Sequence, residues 1–394
     1  AQILIELEQF GDVKAALDEM DEGNRHKVIA GLATRLWETA RINEAMAVPS
    51  SRQSNAKDSL FYLFDMADSA TQLKIGDYLV EWFVGGHYEG RATAGRVSGA
   101  MAIRKVGTQA AGRLLSKAKG IVATPPDEKG RRTQVGDQLL KALALCGSPE
   151  ALEFMMTLVK TPRGDTTLPK RVIGAMHFAY VEPLGMEPVA GKSLLSLSKE
   201  LEAIFYDEGA SATMRNDSVA LLAAIGAPEC IPSFTRMISY PSDQERYRWM
   251  GTQQGVRCGG TQGIQAITEA LPPTVNYQRG MLSKYLWDEI LELEDKKQIA
   301  IAATSLLQSK SWVARASGME LLLSLASIPS ASVDVAGTIE ILRGMQGDSQ
   351  GLSNWWGPQK DVPKADKKKN PTMGELASNV AKSLEALALP VEGK

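Results

Sequence analysis

The sequence predicts an all-α fold built from stacked helix pairs, and three observations carry that expectation. The first is a local pattern that returns. Asp58-Ser-Leu-Phe-Tyr-Leu-Phe-Asp-Met-Ala-Asp-Ser-Ala70, Asp137-Gln-Leu-Leu-Lys-Ala-Leu-Ala-Leu-Cys-Gly-Ser-Pro-Glu150 and Asp217-Ser-Val-Ala-Leu-Leu-Ala-Ala-Ile-Gly-Ala-Pro-Glu229 share it. Each sets an acidic residue before about two apolar helical turns and then a short Gly/Ala/Ser/Asp/Pro break. The second is the period. Breaks fall near Gly11, Ala40, Ala67, Gly107, Gly147, Gly185, Gly226, Gly259, Asp295 and Ser327, roughly 27 to 41 residues apart, as in helical repeat arrays. The third is composition: 44% hydrophobic with only 6% aromatic residues suits Ala/Leu helix packing better than a β-sandwich core.

Taken in chain order, residues 1–54 follow the pattern more weakly than what comes after. In Leu139-Leu140-Lys-Ala-Leu143-Ala-Leu145, apolar residues recur at i, i+3 and i+4, which builds one buried helical stripe. Gly147 can take the left-handed conformation that closes this helix, Ser148 can cap the next, and Pro149 suits a first helical position. Gly226-Ala-Pro228-Glu229 repeats that junction. Each unit then holds two helices, because neither helix can bury its apolar face alone. Polar inserts interrupt the units at 88–96, 124–132, 161–167 and 240–244. From Gly344 to Pro371 periodicity fades, and the stretch carries Trp355-Trp356-Gly-Pro358 and Lys367-Lys-Lys369. A last helix, Met373 to Leu387, reads as a cap. The organisation predicted is a repeat array over 1–343, an irregular loop over 344–371, and a capping helix and tail over 372–394.

The pattern resembles HEAT repeats, best in Lys310-Ser-Trp-Val-Ala-Arg-Ala-Ser-Gly-Met-Glu-Leu-Leu-Leu-Ser-Leu-Ala-Ser-Ile-Pro329. There Trp312, Val313 and Arg315 stand where the first HEAT helix carries its apolar pair and arginine. Ala-Ser-Ile-Pro329 stands where the family has its Gly-Asp-Pro turn. The resemblance covers residues 55–345, although several turns lack Gly or Pro and the inserts break the register. It implies a right-handed α-solenoid of about eight to ten helix pairs whose concave face receives a protein or peptide. HEAT-like arrays also occur in bilin lyases and some DNA glycosylases, so an enzyme acting on a cofactor or nucleic acid is the alternative.

Charge and targeting add modest bounds. With 44 basic and 46 acidic residues the net charge is −2, which gives no global field toward nucleic acid. No run of 18 apolar residues predicts a transmembrane segment. The start at Ala1-Gln2 fits a mature end left by signal peptidase as well as a trimmed chain; the periplasm or cell envelope is slightly favoured as the compartment. Three cysteines are too few for a disulfide framework. Cys146 reads as a core residue. Cys230 and Cys258 read as two separate buried thiols, with a disulfide between them as the alternative.

Motifs for chemistry are weak throughout. Gly185-Met-Glu-Pro-Val-Ala-Gly191-Lys192-Ser193 has five residues between its glycines where a phosphate loop needs four, and no strand precedes it. Gly347-Asp-Ser349-Gln-Gly351 matches nucleophile-elbow letters, but His26, His87 and His177 all lie upstream of the serine. Their spacing, to one another and to cysteine, does not suit zinc. No catalytic, cofactor or metal residue is therefore assigned. Arg246 with Arg248, and Lys367 to Lys369, read as solvated basic faces. The partner-binding candidates are Trp355 and Trp356, His87 and Tyr88 in Gly85-Gly-His-Tyr-Glu-Gly90, and Arg131 with Arg132. An exposed tryptophan pair would anchor a partner; a pair tucked beneath the loop would pin it to the last repeats. The expected function is a non-catalytic protein–protein interaction scaffold, extending to an exported structural or assembly subunit.

Overall fold

The computed structural model describes residues 10–45, 51–84, 102–126, 128, 135–161, 166–183, 187–240, 245–357 and 368–388. Among them every named element is helical, and β structure is confined to one bridge between Gly351 and Thr372. The chain divides into two compact units, Ala1–Glu200 with Tyr206–Leu221, and Leu201–Phe205 with Leu222–Lys394. His87, Tyr88, Arg131 and Arg132 lie outside the described residues.

The first unit carries α1 (Phe10–Asp18), α2 (Glu22–Ala45), α3 (Ser51–Met66), α4 (Ser69–Val84), α5 (Ala111–Ala123), α6 (Asp137–Leu145), α7 (Pro149–Lys160) and α8 (Leu168–Tyr180). Neighbours in sequence pack together: α2 on α3, α3 on α4, and α6 on both α7 and α8. Trp37 and Tyr78 stack at 5.4 Å and tie α2 to α4. The break at Ala67 falls between helices, where Asp68 caps α4 by accepting from the Thr71 N–H at 2.8 Å. Two predicted breaks are overturned. Gly11 lies in the first turn of α1, and Ala40 lies well inside α2. Alanine is the strongest helix former, so Ala40 among Thr39 and Arg41 does not end a helix without a glycine or proline beside it.

At the α6–α7 junction Gly147 takes φ 65°, and Pro149 opens α7 as the sequence predicts. Ser148 does not cap, however: its oxygen accepts from no N–H of α7, and its hydroxyl instead donates to the charged Glu150 carboxylate. Helices α9 (Ser198–Tyr206) and α10 (Ala212–Ala224) span the boundary between units, and Gly226 closes the latter at φ 61°.

The second unit continues with α11 (Ile231–Ser239), α12 (Glu245–Glu269), α13 (279–292, with a π turn at Ser283–Trp287), α14 (Lys296–Leu306), α15 (Trp312–Leu325), α16 (Val335–Gly344) and α17 (Met373–Ala388). Helix α12 is two helices joined at Gly260, whose φ 52° and ψ −145° are open to glycine alone. The break expected at Gly259 thus comes one residue later. The bend is sharp enough that a Cβ on Gly255 would sit 2.6 Å from Ile267 Cδ1. The same position lies 2.9 Å from Phe234 Cβ, because α11 runs along the Gly251, Gly255 and Gly259 side of α12. Side chains cap the later helices. Asp295 accepts from Gln298 N at 2.9 Å, Asp334 accepts from Gly337 N at 3.0 Å, and Thr372 with Glu375 forms a reciprocal capping box on α17.

Arg–carboxylate pairs link elements of the second unit: Arg236–Glu202, Arg257–Glu289, Arg279–Glu320, Arg315–Asp348 and Arg343–Glu385. Partners are 32 to 42 residues apart in sequence. The spacing of the helical turns reappears here as the spacing of ion pairs. In the first unit, Arg171 and Asp137 do the same across 34 residues.

Candidate partner-binding site

The loop between α16 and α17 holds both tryptophans that the sequence singles out. Lacking apolar periodicity, its described residues, 345–357 and 368–372, form no helix, so their backbone groups must find partners elsewhere. They find them against the start of α17. Leu352 N donates to Pro371 O at 2.9 Å, Met373 N to Gln350 O at 2.8 Å, and Gly374 N to Asp348 O at 2.9 Å. Position 374 admits only glycine, since a Cβ would lie 2.3 Å from Gln346 O. Arg279 N donates to Trp355 O at 2.8 Å, and Arg315 holds Asp348, so the loop is fastened to α13 and α15 as well.

This fastening separates the two tryptophans. Trp355 is 1% exposed, with its ring 6.2 Å from that of Trp287. It pins the loop and offers no surface to a partner. Trp356 is 38% exposed. Its indole Nε1 donates to Lys369 O at 3.0 Å, and its backbone N donates to Asn370 Oδ1 at 3.3 Å. The Lys368 ammonium stands 4.7 Å from the ring centroid, a cation–π distance. Lys369 is 3.8 Å from Glu375, whose carboxyl the Thr372 N–H and the Lys369 charge hold below the ordinary range. The result is a half-exposed aromatic shelf with one cation over its ring and the Lys369 carbonyl on its N–H. From sequence Lys367 to Lys369 reads only as a solvated run; nothing in its spacing places Lys368 over a ring 12 residues earlier.

A second aromatic group escaped the sequence reading. Trp249 meets Tyr277 edge-on at 5.6 Å and stacks on Tyr285 at 5.4 Å, while Tyr277 lies 6.1 Å from Trp312. Trp249 donates to Glu245 at 3.0 Å, and Trp312 donates to Pro273 O at 2.7 Å. Burial pushes the Tyr277 phenol up, opposed by the nearby Arg248 charge. Arg248 is thus half-buried beside aromatics rather than part of a solvated basic face.

The remaining motifs take structural places. Gly191–Leu197 is a 3₁₀ helix in which Ser193 shares a hydrogen bond of 2.8 Å with Tyr180, a phenol that burial pushes up to about 12. Ser349 follows a turn after α16, with no strand before it. His177 lies half-buried in α8, and burial raises the Asp217 carboxyl. Among the described residues no three His, Cys, Asp or Glu side chains converge as a metal site, and no helix is long and apolar enough to cross a membrane. Cys146 donates to Leu143 O at 3.0 Å, and burial pushes its thiol up to about 11. Cys230 and Cys258 are free and buried, two separate thiols as the sequence predicts, and each shifts the other's titration.

No protein-family model matches the chain, and no curated protein does. Among solved structures, it aligns with two engineered proteins from the Northeast Structural Genomics Consortium. One is 14% identical over 98% of both chains at a TM-score of 0.31. The other is 12% identical over 84% of this chain and 97% of that one at a TM-score of 0.16. Likenesses of that size carry no argument about fold or function.

Proposed function

We propose that this chain is a non-catalytic protein–protein interaction scaffold, a HEAT-like right-handed α-solenoid of about eight to ten helix pairs. The recurring Gly/Pro turns and the ion pairs at matching sequence distance support the repeat reading. The observation that carries the functional reading is Trp356. Its backbone, its indole N–H and the lysine over its ring are all held, yet 38% of the residue stays exposed. A preordered aromatic loses little side-chain entropy on binding, which is what a contact hot spot requires. Lys368 and Lys369 give the shelf its charge preference: a protein segment with carboxylates flanking an apolar side chain.

The test is a crosslinked pull-down comparing wild type with Trp356→Ala, both checked by circular dichroism for equal helix content. Support would be a stoichiometric protein partner that Trp356→Ala weakens without loss of fold. Recovery of nucleic acid or a small pigment in place of protein would sink the scaffold reading. Trp355 is not the residue to substitute, because its removal would damage the loop itself.

A further inference from the structure

The chain has three cysteines, and two of them meet in the second unit. Cys230 ends the 3₁₀ turn Pro228–Cys230 ahead of α11, and Cys258 lies in α12 two residues before the bend at Gly260. Both approach one carbonyl: Cys230 N donates to Ala227 O at 3.0 Å, and the Cys258 thiol lies 3.4 Å from the same oxygen. The residues beside them meet, since a Cβ on Gly259 would lie 2.9 Å from Ile231 Cγ1, and the two thiols act on each other, Cys230 lowering Cys258 and Cys258 raising Cys230. They are 1% and 4% exposed, so only a small reagent can reach them.

We propose that Cys230 and Cys258 form a dithiol modification site that hydrogen peroxide converts into an intrachain disulfide. Cys258 is the sulfur that reacts first, because the Cys230 S–H stabilises its thiolate and holds it below the ordinary thiol range. The Cys258 thiolate attacks one peroxide oxygen; the O–O bond breaks, hydroxide leaves, and Cys258 becomes a sulfenic acid. The Cys230 sulfur then attacks the Cys258 sulfur, the S–O bond breaks, and water leaves. Two thiols lose two electrons and two protons, and one peroxide becomes two waters. The new bond ties the start of α11 to α12 next to the Gly260 bend. Cys146, hydrogen-bonded to Leu143 O in the first unit, is the internal control.

The experiment treats the whole chain with hydrogen peroxide, quenches it, unfolds it in guanidinium and alkylates the free thiols. The expected result is one alkylated cysteine, Cys146, and a linked peptide pair containing Cys230 and Cys258 that dithiothreitol separates. The oxidised chain should also melt about 5 °C higher, reversibly with reductant, because the cross-link restrains the unfolded chain. Cys146→Ala should give the same linked pair, and Cys230→Ala none. Three alkylated cysteines after peroxide, or Cys258 carried to sulfinic acid with Cys230 still free, would overturn the proposal.

Discussion

Replacing Trp355 with alanine removes an indole that is 1% exposed and packed against Trp287. The loss of a buried aromatic of this size costs about 3–5 kcal/mol. Its neighbour Trp356 is 38% exposed, so Trp356→Ala should cost less than about 1 kcal/mol. Urea denaturation of the two variants checks the contrast; equal losses would mean that the loop does not distinguish them. A pH prediction belongs at the same scale. Burial alone would push the Glu289 carboxyl up, but the two-pronged bond from Arg257 and the donation from Gln253 outweigh it and hold the carboxyl below its ordinary 4.5. A depressed folded value means that the charged form is bound better in the folded state. The pair's contribution is therefore present above pH 4.5 and lost as the pH falls through the lower, folded value. Thermal melts of Glu289→Gln should lie below wild type at pH 7 and converge with it in acid.

Glycine has opposite meanings in two helices, and the difference comes from what surrounds each one. Gly255 of α12 faces Ile267 Cδ1 at 2.6 Å and Phe234 Cβ at 2.9 Å from its would-be Cβ, so Gly255→Ala overpacks the α11 contact by about 1–3 kcal/mol. Gly31 of α2 is exposed with nothing within 4 Å, so Gly31→Ala should stabilise by about 0.5–1 kcal/mol through helix propensity alone. Calorimetric midpoints should move in opposite directions. This contrast also shows how far the sequence can be read. The helices, the turns at Gly147 and Gly226 and the break at Asp295 were legible because each rests on local chemistry within about four residues. Ala40 was misread because a run of small and polar residues does not distinguish a helix from its end. The lysine above Trp356 was not legible, because it is decided by chain brought from elsewhere, whereas a tryptophan tucked beneath the loop and a pairing of Cys230 with Cys258 were both among the readings the sequence offers. The repeat spacing was visible, but which arginine would meet which carboxylate was not.

For the molecule as a whole, a net charge of −2 over 394 residues leaves no long-range field to steer a partner. On the scaffold function proposed above, recognition is local, which sets the salt dependence expected of binding. The Lys368 ammonium stands over Trp356 with Lys369 beside it in sequence, and surface charges more than about 10 Å away are screened at 0.1 M salt. A partner held chiefly by the indole should lose about 30-fold in affinity with Trp356→Ala, the size of a hot-spot truncation. Raising salt from about 0.05 to 0.2 M should weaken the same complex only a few-fold, because two lysines release few counterions. Nucleic acid engaging many cations would instead lose about 10³-fold or more over that range. Fluorescence titration of the complex at several salt concentrations separates the two cases. A steep salt slope together with indifference to Trp356→Ala would move the contact away from the aromatic shelf and onto a basic surface.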